Sequence, residues 1–397
     1  MVKEISQAQA RRFMLRKQGL LGARRFRGPK GLLEYVAQAG CVQYDPVDVC
    51  GKSHELAFLA RVEGFTHEML DRLLYERRSL IDYFDKNMCV LCAEDWPYLE
   101  PTRSYYRERG RSREAVDRVS VDIMKELHAR GCASSQELHM EGRADWYWSE
   151  TTLSRAALET LYFRGDLVVH HKRGAVKSYA LARDCLPAEL LAAENPCKTR
   201  RDTRAWQALR RIGAVGMLWN GPSDAWLGMD AFRAEEREAV FKELLDRGEI
   251  APVEVEGINR RLYVQSADMP KLDRWGKPFC GAKSAKLLPP LDGMLWDRKL
   301  IAALFGFSYK WEIYTPKDQR KYGHYTLPVL YGERFAGRVE PVCERKKRRL
   351  TVRRFWPERG FRLTDAFFSA LEAAMQELRA FHEMEEVRWE PGWLQRP

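Results

Sequence analysis

The chain has 397 residues and a formal net charge of +11. With a pI of about 9.2, it favours a polyanionic partner over an acidic small molecule. No run of about 18 apolar residues is available to span a bilayer and no signal-peptide pattern opens the chain. A soluble cytoplasmic protein of two to four modules is therefore expected.

Nine irregularly spaced cysteines argue against a disulfide framework and suit free thiols in a reducing compartment. Nine basic side chains (Lys3, Arg11, Arg12, Arg16, Lys17, Arg24, Arg25, Arg27 and Lys30) stand against Glu4 and Glu34 in the first forty residues. A solvated surface accounts for any single cluster of this kind, but the aggregate points to a polyanion. Ser6-Gln7-Ala8-Gln9 has the pattern of a capping box and opens a helix through about Lys17. Residues 31–39 give a second helix.

Cys41-Val42-Gln43-Tyr44-Asp45-Pro46 then reads as a short extended run that proline stops. Side chains two apart share a face, so Gln43 and Asp45 point together and Tyr44 points away. An amide beside a carboxylate can hold one water and stabilise one developing positive charge. Asp before Pro also starts ordinary turns, so residue types alone leave both readings open. Thr66 caps a helix with Met69, Leu70, Leu73 and Leu74 on one face, and residues 80–88 read as a strand. Together these elements suggest a winged-helix unit over residues 1–115. Cys89 and Cys92 form a CxxC with no second pair at zinc-finger distance. They are read as packing, and no metal site is expected.

The next two units resemble each other. Arg164-Gly165-Asp166 is followed by a strand, a turn at Gly174 and a second strand; Arg247-Gly248-Glu249 is followed by the same series with Gly257. Both glycines repeat at an offset of 83 residues, an internal repeat. In each, the first glycine supplies a left-handed helix cap and the second turns a hairpin. Helices at 117–130 and 204–212 precede them. The pattern is that of winged helices, at 116–200 and 201–285. Trp146, Trp148 and Trp296 are read as core.

From residue 286 the texture changes. Leu288-Pro289-Pro290-Leu291-Asp292 reads as a linker or loop and residues 297–304 as a short helix. Strands come next at 311–314, 323–331, 334–341 and 349–356, with tight turns at Gly332 and at 344–348. A small antiparallel barrel is expected over 286–397, closed by a helix at 363–383 with Phe367, Phe368, Leu371, Met375 and Leu378 on one face. The fold class is thus α+β: three tandem winged-helix units, then a barrel and a closing helix.

Several blocks in order carry a resemblance to a known family. They are Val42-Gln43-Tyr44-Asp45-Pro46-Val47, Lys52-Ser53-His54-Glu55-Leu56, Leu59-Ala60-Arg61, Leu291-Asp292-Gly293-Met294-Leu295-Trp296-Asp297-Arg298, Leu304-Phe305-Gly306-Phe307, Tyr322-Gly323-His324-Tyr325-Thr326-Leu327-Pro328 and Gly337-Arg338-Val339. Nearly the whole chain resembles the AlkZ/YcaQ family of tandem winged-helix DNA glycosylases, which unhook interstrand crosslinks. The Gln-Tyr-Asp element looks like the YcaQ branch, which accepts mustard crosslinks and simpler N7-alkylguanines. Where other members have Glu-Tyr-X-X-His, this chain has Asp82-Tyr83-Phe84-Asp85-Lys86, a departure from the pattern at Asp85 and Lys86.

The resemblance implies a monomer that acts on alkylated or crosslinked double-stranded DNA, associated with the nucleoid, with no cofactor and no membrane. It implies catalysis by Gln43 and Asp45. Asp45 would stabilise an oxocarbenium-like sugar and Gln43 would orient water. Tyr44, Lys52, Ser53 and His54 stand nearest and are read as pocket or DNA contacts. His54 is equally readable as a structural histidine. Lys52 and Arg61, with Arg155, Lys172, Arg173, Arg260 and Arg261, are read as sequence-independent phosphate contacts. The basic turn 345–349 reads as flanking contact or solvated hairpin. Lys52 is the one lysine near Gln43 and Asp45, so no Schiff-base lyase step is expected. An alternative reading is a winged-helix transcription regulator without catalysis, though such proteins usually dimerise on palindromes.

Overall fold

The computed structural model describes residues 2–147 and 149–395; Trp148 lies outside the described residues. The chain is a mixed α+β protein and separates into two compact units. One runs to Thr66 and resumes from Arg204; the other is His67–Thr203. The expected first module, 1–115, is therefore divided between them.

In the larger unit, Gln7–Lys17 is a helix whose start is a capping box. The Gln9 N–H donates to Ser6 Oγ at 3.2 Å while the Ser6 N–H donates to Gln9 Oε1 at 2.9 Å, so two orphan donors are satisfied at once. Its Ala10, Phe13, Met14 and Leu15 are buried. A second helix, Gly28–Ala39, has Pro29 in its first turn, where no N–H is needed. The later repeat is extended on both sides into a four-stranded sheet. Ile250–Val255 and Leu262–Gln265 pair antiparallel, Leu218–Trp219 adds to the second, and Lys3–Ile5 adds in parallel to the first. The strand Lys3–Ile5 is not visible in the sequence, because three residues carry too little period-2 signal.

The C-terminal part is a curled five-stranded sheet in the order Ala285–Leu287, Leu327–Tyr331, Arg334–Glu344, Arg349–Pro357, Glu386–Trp389. The first four strands are antiparallel and the last is parallel. The small antiparallel barrel expected from the strand spacing is met by a curled sheet that fits a half-barrel, with a parallel fifth strand at one edge. Residues 311–314 are not a strand. The Glu312 carboxylate accepts the N–H groups of Lys321, Tyr322 and Gly323 at 2.8–3.2 Å, organising a loop instead. The Leu288–Asp292 stretch, read as a linker or loop, is a loop in which Leu288 and Asp292 are buried. Helix Asp365–Phe381, capped by Thr364, buries Phe367, Leu371, Met375 and Leu378 completely against this sheet. Each such side chain contributes on the order of 1.5–3 kcal/mol.

The smaller unit holds the earlier repeat. Helix Arg113–Arg130 leads through Gly131 to the short strand Ala133–Ser134. The paired two-residue strands Arg143–Ala144 and Thr151–Thr152 intervene before helix Leu153–Arg164 and then the hairpin Leu167–Arg173 with Val176–Leu181. Gly165 and Gly174 have φ of 84° and 62°; Gly248 and Gly257 have 68° and 73°. The repeat read from glycine spacing is therefore repeated in backbone conformation. Residues 80–88 form a hairpin, Leu80–Asp85 with Asn87–Cys92, instead of one strand. Asn87 at φ 60° turns it, a conformation asparagine tolerates. Trp146 and Trp296 are buried. The Cys89 thiol is buried and donates to the Lys86 carbonyl at 3.1 Å, as packing requires.

Candidate active site

The segment containing Gln43 and Asp45 belongs to the larger unit. Helix Gly28–Ala39 ends at Gly40, φ 68°; a Cβ there would stand 2.8 Å from Arg210 Nε, so a close approach and a left-handed turn both favour glycine. Arg211 is buried beneath and donates to Cys41 Sγ at 2.8 Å. Val42–Gln43 is the strand, and regular extended structure stops there, two residues short of Asp45.

Gln43 is buried and borders a small closed cavity, with about 10 Å³ open to the centre of a water molecule, the space of one water. Ser53, Asp292 and Trp296 share that lining, and Asp45 does not. Asp45 lies half-buried beyond it. Its Oδ1 accepts the Val47 N–H at 2.9 Å, an Asx-type turn around Pro46. Burial raises the Asp45 pKa, partly offset by that hydrogen bond.

Residues 48–50 anchor the segment on the C-terminal sheet. Asp48 Oδ1 accepts the Gly51 N–H at 3.1 Å and its Oδ2 accepts from Arg345 at 2.5 Å. The Val49 carbonyl accepts the Cys343 N–H at 2.9 Å, and Cys50 joins the sheet's apolar core. Tyr325, within the same unit, was not singled out in the sequence. Burial pushes its phenol well above the ordinary value, with the charges of Asp45 and Asp48 adding to it. Only its block in the family resemblance signalled it.

The structure brings Tyr44 and His54 together, with ring centroids 4.7 Å apart; Phe58 meets His54 edge-on at 6.4 Å. Ser53 and His54 begin helix Ser53–Arg61 and are buried. The Glu55 carboxylate reaches back to the Lys52 N–H at 3.2 Å and to Lys52 Nζ at 3.3 Å. Arg61 is a correction. Its guanidinium is fully buried on Asp292, Gln18 and the Ala57 carbonyl, so it has no N–H to offer a phosphate.

The N-terminal basic run is also largely engaged within this unit. Arg11 binds the Leu304 carbonyl, Arg12 the Gly276 carbonyl, Lys17 Asp268 and Arg24 Glu377. The basic turn is likewise paired: Lys347 and Arg349 contact Glu344, whose carboxyl they and Thr351 hold down at about 2. Arg260 and Arg261 are exposed; Arg261 pairs with Glu254 at 2.9 Å, and Arg260 lies 5.7 Å from the Trp219 ring. In the smaller unit, Arg155 is exposed and pairs with Glu159 at 3.0 Å, and Arg173 is exposed at the hairpin tip. Lys172 instead donates to the covered Asp82 at 2.8 Å.

A family model described as "DNA glycosylase AlkZ-like" matches residues 36–381. The fold also resembles a solved structure, Streptomyces sahachiroi DNA glycosylase AlkZ, with a TM-score of 0.61 at 16% identity over 98% of this chain and 99% of that one. No helix among the described residues is long and apolar enough to cross a membrane. A match over that span, reaching from the helix before Gln43 to the helix that closes the C-terminal sheet, means that this chain belongs to the AlkZ-like family and is a DNA glycosylase.

Proposed function

We propose that this glycosylase removes cationic N7-alkylguanine lesions, including the unhooking of nitrogen-mustard-like interstrand crosslinks, without a lyase step. N7 alkylation makes the base a cation, so breaking the bond from C1′ to N9 returns the electron pair to the ring and releases a neutral base. No general acid is then required. The sugar left behind is oxocarbenium-like, as in glycoside hydrolysis generally. Asp45 stabilises that charge and accepts a proton as water adds to C1′. Gln43 holds the water. The products are an abasic site and the alkylated base.

The observation that carries this reading is the Asp45 carboxylate: half-buried, fixed by its own turn, and made more basic by burial. Tyr44, its neighbour in sequence, and His54, whose ring packs on Tyr44, would meet the lesion in place through a groove, since a crosslinked base is tethered and cannot swing out freely. Family membership displaces the inert-regulator reading. Both repeats run helix, short strand, helix, hairpin, which supports tandem winged helices. The proposed modules are 1–115, 116–200, 201–285 and 286–397, acting as a monomer on duplex DNA. Arg155, Arg173, Arg260 and Arg261 are its backbone contacts.

One gel tests the assignment: wild type and Asp45→Asn with an N7-methylguanine duplex and with a mustard-crosslinked duplex. Release from both by wild type, and loss with DNA binding retained in the variant, is the expected result. Undiminished release by Asp45→Asn refutes the catalytic assignment. Wild-type release from the monoadduct alone limits the substrate class.

A further inference from the structure

His170 and His171 are neighbours in the strand Leu167–Arg173 of the unit His67–Thr203. Successive side chains of a regular strand leave opposite faces. Here the pairing with Val176–Leu181 shifts register between Val169 and His171, and a bulge of this kind re-aims a side chain. The two imidazoles therefore converge, with centroids 5.2 Å apart and Nδ1 atoms 2.9 Å apart. Cys132 arrives from the other side of the sheet. It joins helix Arg113–Arg130 to strand Ala133–Ser134, which pairs with the far edge of Val176–Leu181. One ligand atom from each of Cys132, His170 and His171 lies within 4.8 Å of the other two, and all three residues are half-buried.

We propose that Cys132, His170 and His171 bind a divalent transition metal, zinc by preference, which ties the hairpin to the turn after helix Arg113–Arg130. Thiolate with imidazole selects zinc over magnesium or calcium. With metal–nitrogen bonds of 2.0–2.1 Å and a metal–sulfur bond of 2.3 Å, tetrahedral ligand atoms stand roughly 3.3–3.6 Å apart. The two nitrogens need to open by only a few tenths of an ångström. Arg78 fixes the surroundings: its guanidinium donates to the Leu74 and Val169 carbonyls at 3.2 and 2.7 Å and to Cys185 Sγ at 3.4 Å. Three protein ligands leave the fourth position to water. The site is structural: Lys172 and Arg173 come directly after the second histidine, so the metal would hold the base of the hairpin that presents Arg173.

The test uses the full chain, stripped with a chelator and titrated with Co²⁺ and then Zn²⁺. One Co²⁺ per chain is expected, with a thiolate-to-cobalt charge-transfer band that one equivalent of Zn²⁺ abolishes. Cys132→Ser should remove the band, and His171→Asn should weaken Co²⁺ at least about 10-fold, the lower bound seen when even an outer partner is lost. Cys185→Ser should leave the stoichiometry at one. X-ray absorption at the zinc edge of wild type should read two nitrogens and one sulfur, which needs no variant to fold. Failure of wild type to bind one equivalent, or a charge-transfer band that survives in folded Cys132→Ser, overturns the proposal and leaves the histidines as a hydrogen-bonded pair.

Discussion

Arg61 and Asp292 are 231 residues apart in sequence and form a bidentate ion pair, Nη1 to Oδ2 at 2.7 Å and Nη2 to Oδ1 at 2.6 Å, with both side chains excluded from solvent. The remaining guanidinium N–H groups reach Gln18 and Ala57, and Asp292 Oδ1 also caps the Met294 N–H at 2.8 Å. Asp292 lines the cavity that Gln43 borders. The pair joins the helix carrying Ser53 and His54 to the loop that follows the first strand of the C-terminal sheet.

Breaking one side of that pair leaves a buried charge. Arg61→Met or Asp292→Leu should therefore each lower stability by roughly 3–5 kcal/mol. The double variant Arg61→Met with Asp292→Leu should be less damaging than the two effects summed, because no orphaned charge remains. Urea unfolding of the four proteins measures the cycle; strict additivity would show that the two groups do not act as a pair.

Asp45 should be worth more to activity than to stability. Its carboxyl pKa is raised above the ordinary 3.8 by burial, so the ionised form is less favourable in the folded chain than in the unfolded one. Stability from this group is present below the unfolded pKa and is lost as pH rises through the folded one. At neutral pH, Asp45→Asn should melt no lower than wild type while base release is lost. A melting temperature that falls with activity would make the residue structural.

The same shift predicts the acidic side of the pH–rate profile. If ionised Asp45 is the working form, release should fail as pH drops through a midpoint above 3.8. The midpoint should not depend on the lesion's leaving group. Single-turnover rates on N7-methylguanine DNA read it, and a flat profile down to the onset of acid unfolding would remove Asp45 from the chemistry.

Phosphate contacts are separable from buried arginines by salt. Arg173→Ala and Arg260→Ala should each reduce the slope of log affinity against log salt by about 0.9, the contribution of one released counterion. Arg61→Met, measured in conditions where it stays folded, should leave the slope unchanged. Equal slopes in all three variants would discard both exposed arginines as backbone contacts.

The apolar seam beneath the C-terminal helix should behave as one core. Leu371→Ala removes a completely buried side chain facing the sheet that anchors Cys50, and a loss of roughly 2–5 kcal/mol is expected. Thermal melts with base release measured below the transition would show whether the Asp45 segment survives that loosening.

Local instructions in this chain can be read without a structure. The box at Ser6 and Gln9, the glycines at 165, 174, 248 and 257, and the stripe Phe367–Leu371–Met375–Leu378 act over a few residues, through hydrogen bonds, φ preference and helical period. They determined the helices, the repeat and the final helix. Distance along the chain hid the rest. Nothing near Arg61 announces a carboxylate 231 positions away, so an arginine beside the active segment looked like a phosphate contact and is a buried strut. Cys132 and the paired histidines are 38 residues apart, and a bulge that no pattern encodes turned two alternating side chains to one place. The parallel strand Glu386–Trp389 was likewise decided only by tertiary packing, because burial and long-range pairing depend on what the folded chain brings alongside.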